Sequence, residues 1–202
     1  MKLVVVTKPE FFVVEHLLIR ELFNEGLDIL HLRKSSGDLA QWERLLALLP
    51  ENCRKKIAVH DNFELKNKYG LMGIHLNSRN SEIPKGHHGS VSCLCHTYDE
   101  VAAYKPFMKY VFLSPVFNSA SPQKFSDNFT ISQLRLAHDK GIIDNKVIAY
   151  GGVCTENIGM LHEFGFGGAA VYGSLTQKFN PVSSQDFKDA IAYFRLLRRA
   201  SE

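Results

Sequence analysis

No stretch of this 202-residue chain comes near the ~20 consecutive apolar residues of a membrane span, and its N-terminus opens on a strand-like run, not a signal peptide. Both absences predict a cytoplasmic protein without a membrane partner. Charge of one sign is scarce too. Twenty-four Lys and Arg against 21 Asp and Glu leave a formal +3 spread along the chain, which gives no ground for nucleic acid as a partner. The one basic cluster, Arg195, Arg198 and Arg199, lies on a terminal helix and reads as a solvated face. Cysteine is sparse: Cys53, Cys93, Cys95 and Cys154 read as reduced thiols. Cys93, Cys95, His96 and the His87-His88 pair fit no common structural zinc spacing. No linker and no low-complexity segment interrupts the chain, so residues 1–202 are expected to form a single domain. The first strand-to-helix turn lacks a glycine triplet, which counts against dinucleotide binding.

What is present is a regular alternation. Short apolar runs occur at Leu3–Val6, Leu27–Leu32, Ile57–Val59, Met72–Leu76, Val91–Cys93, Tyr110–Leu113, Val147–Tyr150 and Ala169–Tyr172. Their lack of polar alternation suits strands covered on both faces. Between them, helical spacing marks Phe11–Phe23, Leu39–Leu49, Phe63–Lys68, Thr97–Tyr104, Ile131–Lys140 and, after Thr155, the trio Ile158, Leu161 and Phe164; Ser184–Arg199 closes the chain. Strict alternation argues for a parallel sheet, and eight strands favour a closed (β/α)8 TIM barrel. Such barrels usually need ~250 residues. This one must be compact, with one or more helices short or missing. Residues 77–89, NSRNSEIPKGHHG, are too polar and broken for a helix and mark one such place. Residues 118–128 read as a Ser/Pro/Asn-rich loop of a length usually functional or mobile.

In a barrel the chemistry gathers where strands end. His31, Arg33 and Lys34 follow the second run, His60 and Asp61 the third, His75 the fourth; Ser92 and His96 mark the fifth, and Ser114 and Lys124 lie on or beyond the sixth. The last two runs end in Gly151-Gly152 and Gly173-Ser174, where bare backbone N–H groups can approach an anion. The lining is cationic and rich in imidazole with a single carboxylate, so small phosphorylated molecules are the expected partners. Arg33 offers a planar fork for phosphate oxygens and Lys34 a point charge. Asp61 is equally placed to hold a magnesium ion or to cap the helix after it. His31 and His75 either serve the site or bond a neighbouring loop, and the glycines either cradle an anion or close tight turns.

Seven segments in register resemble the thiamine phosphate synthase family and its relatives, the thiazole tautomerases. LHLRKSS (30–36) resembles the family's Gln-x-Arg-x-Lys stretch, IAVHDNFEL (57–65) its Asn-Asp-Arg segment, and GIHLNSRN (73–80) its Gly-Val-His-Leu-Gly-Gln-x-Asp. CHTYDEV (95–101), LSPVFNS (113–119), AYGGV (149–153) and VYGSL (171–175) are similar to the remaining motifs.

The resemblance implies condensation of hydroxymethylpyrimidine diphosphate with thiazole phosphate. Gly151, Gly152, Gly173 and Ser174 would then hold the thiazole phosphate. Arg33, Lys124 and Asp61 with Mg2+ would serve the diphosphate. His75, Ser92 and Ser114 would line the substrate site. The chain departs from the pattern in several places. The family's glutamine is His31, its lysine falls on Ser35 beside Lys34, and the asparagine before the magnesium aspartate is His60. The second magnesium aspartate aligns with Asn80, beside Arg79, leaving one carboxylate ligand. The family serine falls on Leu94, two residues after Ser92, and the loop lysine on Pro122, two before Lys124. A tautomerase with His31, His60 or His96 as proton carrier, and a non-catalytic barrel that binds thiazole phosphate, are the alternatives. A homodimer is compatible with either.

Overall fold

The last strand of the chain returns to pair with the first. In the computed structural model, which describes residues 1–35, 38–118, 121–126, 129–178 and 184–202, eight parallel strands close into a barrel. In chain order these are β1 (Lys2–Val6), β2 (Ile29–Leu32), β3 (Ile57–Val59), β4 (Gly73–Leu76), β5 (Ser90–Cys95) and β6 (Tyr110–Leu113). An antiparallel hairpin of β7 (Phe117–Asn118) and β8 (Ser121–Phe125) follows, and β9 (Val147–Tyr150) and β10 (Gly168–Val171) complete the ring. β1 sets Val6 opposite His31 of β2 and Val5 opposite Val171 of β10.

Both faces of each strand are covered, which is why the runs show no polar alternation. Leu3, Val5, Leu30, Leu32, Ile57 and Ile74 face outward into a core shared with the helices. Val4, Val6, Ile29, Phe112, Ile148 and Ala170 fill the bore. Each buried Val, Leu, Ile or Phe side chain among them contributes about 1.5–3 kcal/mol by leaving water.

The helices are α1 (Glu15–Asn24), α2 (Leu39–Ala47), α3 (Glu51–Arg54), α4 (Glu64–Tyr69), α5 (Tyr98–Tyr104), α6 (Ile131–Asp139), α7 (Gly173–Thr176) and α8 (Ser184–Ala200). Their starts follow from capping chemistry. Asp38 accepts from the Gln41 N–H at 3.0 Å, and Thr130 and Gln133 cap α6 reciprocally. Among the described residues none of these helices is long and apolar enough to cross a membrane. No helix forms between β4 and β5, as the polarity of 77–89 predicts.

The structure refines three expectations. The described part of 118–128 pairs as the β7–β8 hairpin; short, polar strands carry no periodic signal. The segment after Thr155 is a 3-10 helix over Ile158–Phe164, not an α-helix. The basic face of α8 is partly paired: Arg195 Nε donates to Glu25 at 2.8 Å and Arg198 to Asp28 at 2.7 Å, tying α8 to the end of α1 and the loop after it. All four cysteines are buried free thiols.

Candidate active site at the barrel mouth

The ends of β2, β3 and β4 each aim an imidazole into the bore. His31 on β2 is fully buried. Its Nδ1 lies 2.9 Å from Nε2 of His60, the residue after β3, and its Nε2 lies 2.7 Å from the Tyr110 hydroxyl. His75 on β4 stacks on His60 with ring centroids 4.3 Å apart, and its Nδ1 lies 2.8 Å from Ser92 Oγ. Register explains the convergence, because parallel pairing sets His75 beside Ser92 and Ser92 beside Tyr110. Phe112 packs against both His31 and His75.

Burial keeps these imidazoles uncharged. Loss of water holds His31 and His60 well below the ordinary histidine range, and neighbouring imidazoles add to it. Burial, then the Arg33 guanidinium, lowers His75 to about 3. Burial pushes the Tyr110 phenol up.

Above this floor opens a cavity of about 610 Å³, bordered by Arg33, His60, His75, Asn77, His96 and Tyr150. Arg33 is exposed there. Its backbone is fixed by Thr7, whose hydroxyl accepts from the Arg33 N–H at 3.0 Å and donates to the Arg33 carbonyl at 2.9 Å. His96 is also exposed; its Nδ1 donates to the Ser114 carbonyl at 2.9 Å, which leaves Nε2 as the other ring nitrogen. His31 and Ser92 lie beneath the cavity and support His60 and His75.

Lys34 does not share this space. Its ammonium is buried against α1, donating to Glu15 Oε1 at 2.5 Å and to the Lys8 and Glu10 carbonyls at 2.9 Å. Successive residues of an extended chain face opposite ways, so Arg33 at the mouth turns Lys34 outward. Burial pushes the Glu15 carboxyl up to about 7 and the Lys34 ammonium down.

Asp61 neither caps α4 nor stands free for a metal. Its Oδ1 accepts from the Asn80 amide at 2.8 Å and its Oδ2 from Arg79 at 2.9 Å. Asn77 braces the turn that presents them, accepting from the Arg79 and Asn80 N–H groups and donating to the His60 carbonyl. Magnesium wants an octahedron of oxygens, commonly with more than one negative charge. Here the only carboxylate is matched by a guanidinium and the second ligand is a neutral amide. As arranged, Asp61 and Asn80 do not fit magnesium.

The glycine turns border a second cavity of about 370 Å³, bounded by Tyr150, Gly151, Gly152, Gly173, Ser174 and Lys178, with Glu156 also on its edge. Ser174 Oγ donates to the Val153 carbonyl at 2.8 Å, joining the two turns, and Tyr150 borders both cavities. The glycines differ in their reasons. A Cβ on Gly152 (φ +67) would lie 2.6 Å from the Phe117 carbonyl oxygen, and one on Gly151 (φ +89) 2.9 Å from Pro115. Gly173 meets nothing within 4 Å. Close packing therefore demands glycine at the first turn, while the second faces open space. Ser114 is buried beside Gly151. Lys124 lies in β8, and its side chain falls outside the described residues.

Tyr110 and Tyr150 escaped the sequence reading, since tyrosine within an apolar run looks like core. The available signal was positional: a histidine beside the end of each of three successive strands.

Comparison with known proteins agrees with this architecture. A family model described as thiamine monophosphate synthase matches residues 3–175. Thiamine-phosphate synthases of Limosilactobacillus reuteri and Latilactobacillus sakei are 29% identical over 122 residues and 27% over 129. These matches cover 57% and 60% of this chain, but only 56% and 57% of the relatives' own length. The crystal structure of a thiamine phosphate pyrophosphorylase from Bacteroides thetaiotaomicron superimposes with a TM-score of 0.92 at 44% identity, covering 100% of this chain and 98% of the other. A Pyrococcus furiosus thiamine phosphate pyrophosphorylase shares the fold at 15% identity and a TM-score of 0.71, covering 100% of this chain and 97% of its own. With a matched stretch running from the first strand into the turn after the last, the chain belongs to the thiamine monophosphate synthase family.

Proposed function

We propose that the chain joins a pyrimidinylmethyl diphosphate to thiazole phosphate, yielding thiamine phosphate and pyrophosphate. The observation that carries this reading is the pair of glycine turns on one cavity, sharing Tyr150 with the imidazole-floored cavity at the mouth. One space suits a phosphate tail and the other a diphosphate and a flat ring. In the reaction the carbon–oxygen bond to the diphosphate breaks, and pyrophosphate leaves with the electron pair. The thiazole nitrogen lone pair then closes the carbon–nitrogen bond. No protein proton transfer is needed, so catalysis reduces to alignment and charge placement.

Arg33 is placed to draw off the pyrophosphate. Arg79, held over Asp61, would supply at the rim the positive charge that a metal supplies elsewhere. With no ion bound to them, the neutral imidazoles of His60 and His75 and the faces of Phe112 and Tyr150 put no positive charge beside the transient carbocation, and the aromatic faces attract it. The test is incubation with both substrates, in EDTA and in magnesium, followed by mass analysis and a pyrophosphate assay. Thiamine phosphate with matching pyrophosphate is expected in both. Failure to form either product under both conditions overturns the reading.

A further inference from the structure

We propose that His31, His60 and His75 form a binding site for one divalent transition ion of the zinc class, on the floor of the mouth cavity. One ring nitrogen from each residue can be chosen so that the three lie within 4.8 Å of one another, and all three side chains are buried. They come from neighbouring parallel strands, so the barrel itself fixes their convergence.

The surroundings match what ligating histidines need. Such a residue gives its other ring nitrogen to an outer partner, which sets tautomer and orientation. Tyr110 stands at His31 Nε2 (2.7 Å) and Ser92 at His75 Nδ1 (2.8 Å). With protons on those nitrogens, His31 Nδ1 and His75 Nε2 carry lone pairs. His60 Nε2 faces His31 Nδ1 at 2.9 Å, so one proton lies between them. An ion with nitrogen ligands at ~2.0–2.1 Å sets tetrahedral ligand atoms about 3.4 Å apart. Binding therefore opens this pair by roughly half an ångström and moves the His60 proton from Nε2 to Nδ1; none is released to solvent.

Three imidazoles without a carboxylate suit zinc, cobalt or nickel and not magnesium. The site is thus distinct from Asp61 and Asn80, and it stands whether or not the chain makes thiamine phosphate. Three protein ligands leave a fourth position, as in catalytic zinc sites. His60 and His75 border the cavity, so that position faces solvent or substrate. Arg33 and Arg79 are the charged groups felt at His60, and Arg33 at His75. A dication beside them calls for an anionic fourth ligand, and an oxygen of inorganic phosphate fits.

The experiment is calorimetric titration of the metal-stripped full chain with zinc chloride, with and without inorganic phosphate, and an optical titration with cobalt. One zinc per chain is expected, bound more tightly with phosphate, and visible absorption bands from cobalt at low coordination number. His60→Gln and His75→Gln should each lose binding, whereas the loop pair His87→Gln and His88→Gln should not. Tyr110→Phe should weaken binding about 10- to 100-fold. Equal zinc affinity in the unsubstituted chain and His60→Gln, or loss of binding in the His87 and His88 variants, overturns the site. Should the buried variants not fold, imidazole nitrogen-15 spectra of the unsubstituted chain decide. Zinc should move the three buried rings together, and movement confined to His87, His88 or His96 refutes the proposal.

Discussion

His31 Nδ1 and His60 Nε2 approach to 2.9 Å inside the barrel, where burial denies both rings their charge. A consequence for stability follows. With native values depressed below the unfolded ~6.5, the unfolded chain takes up more protons as pH falls, and stability drops below that value. His31, His60 and His75 each contribute, down to about 3 for His75. Glu15 works the other way, because its native value of about 7 lets the folded chain bind one extra proton between its ordinary value of 4.5 and about 7. Three less one leaves about two protons, or roughly 3 kcal/mol of stability lost per pH unit near pH 5.5. Denaturant melts at pH 7.5, 6.5 and 5.5 measure it. A flat profile would mean that the trio is not held neutral.

The pair Lys34–Glu15 yields a second prediction. Removing Lys34 leaves the Glu15 carboxyl buried without its partner, and with its value already raised to about 7 it takes up a proton near neutrality, so Lys34→Met should lower stability by about 1–3 kcal/mol, the cost of an unsatisfied buried group, and Lys34→Met with Glu15→Leu should recover most of it. Substrate affinity of the double variant should match that of the unsubstituted chain. A well-folded double variant with weakened diphosphate binding would return Lys34 to the mouth, where its place after the second strand had put it.

Lys34 also shows what was legible in the sequence. Its outward turn was available from parity, since His31 and Arg33 share a face that Lys34 cannot. The family's lysine nearby drew attention from that rule. The barrel itself was readable because strands covered on both faces leave apolar runs without alternation, and the missing helix because 77–89 could bury nothing. The β7–β8 hairpin was not, for two short polar strands look like a loop. The meeting of Tyr110, Ser92 and the histidines depends on the register between separate strands, which no local pattern encodes.

Arg79 over Asp61 predicts how the chain responds to metal. If its guanidinium supplies the rim charge, EDTA should leave turnover unchanged within about twofold, and Arg79→Ala should reduce it about 100-fold, the scale of losing one preorganised charge contact. Freeing the Asp61 carboxylate should also let magnesium restore part of the loss in Arg79→Ala. Initial rates of pyrophosphate release with and without magnesium test both statements. A strict magnesium requirement in the unsubstituted chain would show that the ion displaces Arg79.

The two glycine turns can be separated by substitution because their glycines have different causes. Gly152→Ala forces a side chain onto a left-handed backbone and against the Phe117 carbonyl, so it should cost more than about 1 kcal/mol of stability whatever the turn binds. Gly173→Asp meets no such obstacle, since nothing lies within 4 Å of an added Cβ. It should fold normally while setting a carboxylate beside the proposed phosphate position. A like charge ~4 Å away costs about 1–4 kcal/mol between bulk water and a protein surface, so thiazole phosphate affinity should fall at least about fivefold. Gly173→Ala serves as the uncharged control and should leave affinity within a factor of about three. Calorimetry with thiazole phosphate alone makes the comparison independent of turnover. Equal affinity in Gly173→Asp and Gly173→Ala would remove the phosphate from this cavity, and the joint role of the turns in the proposed reaction with it.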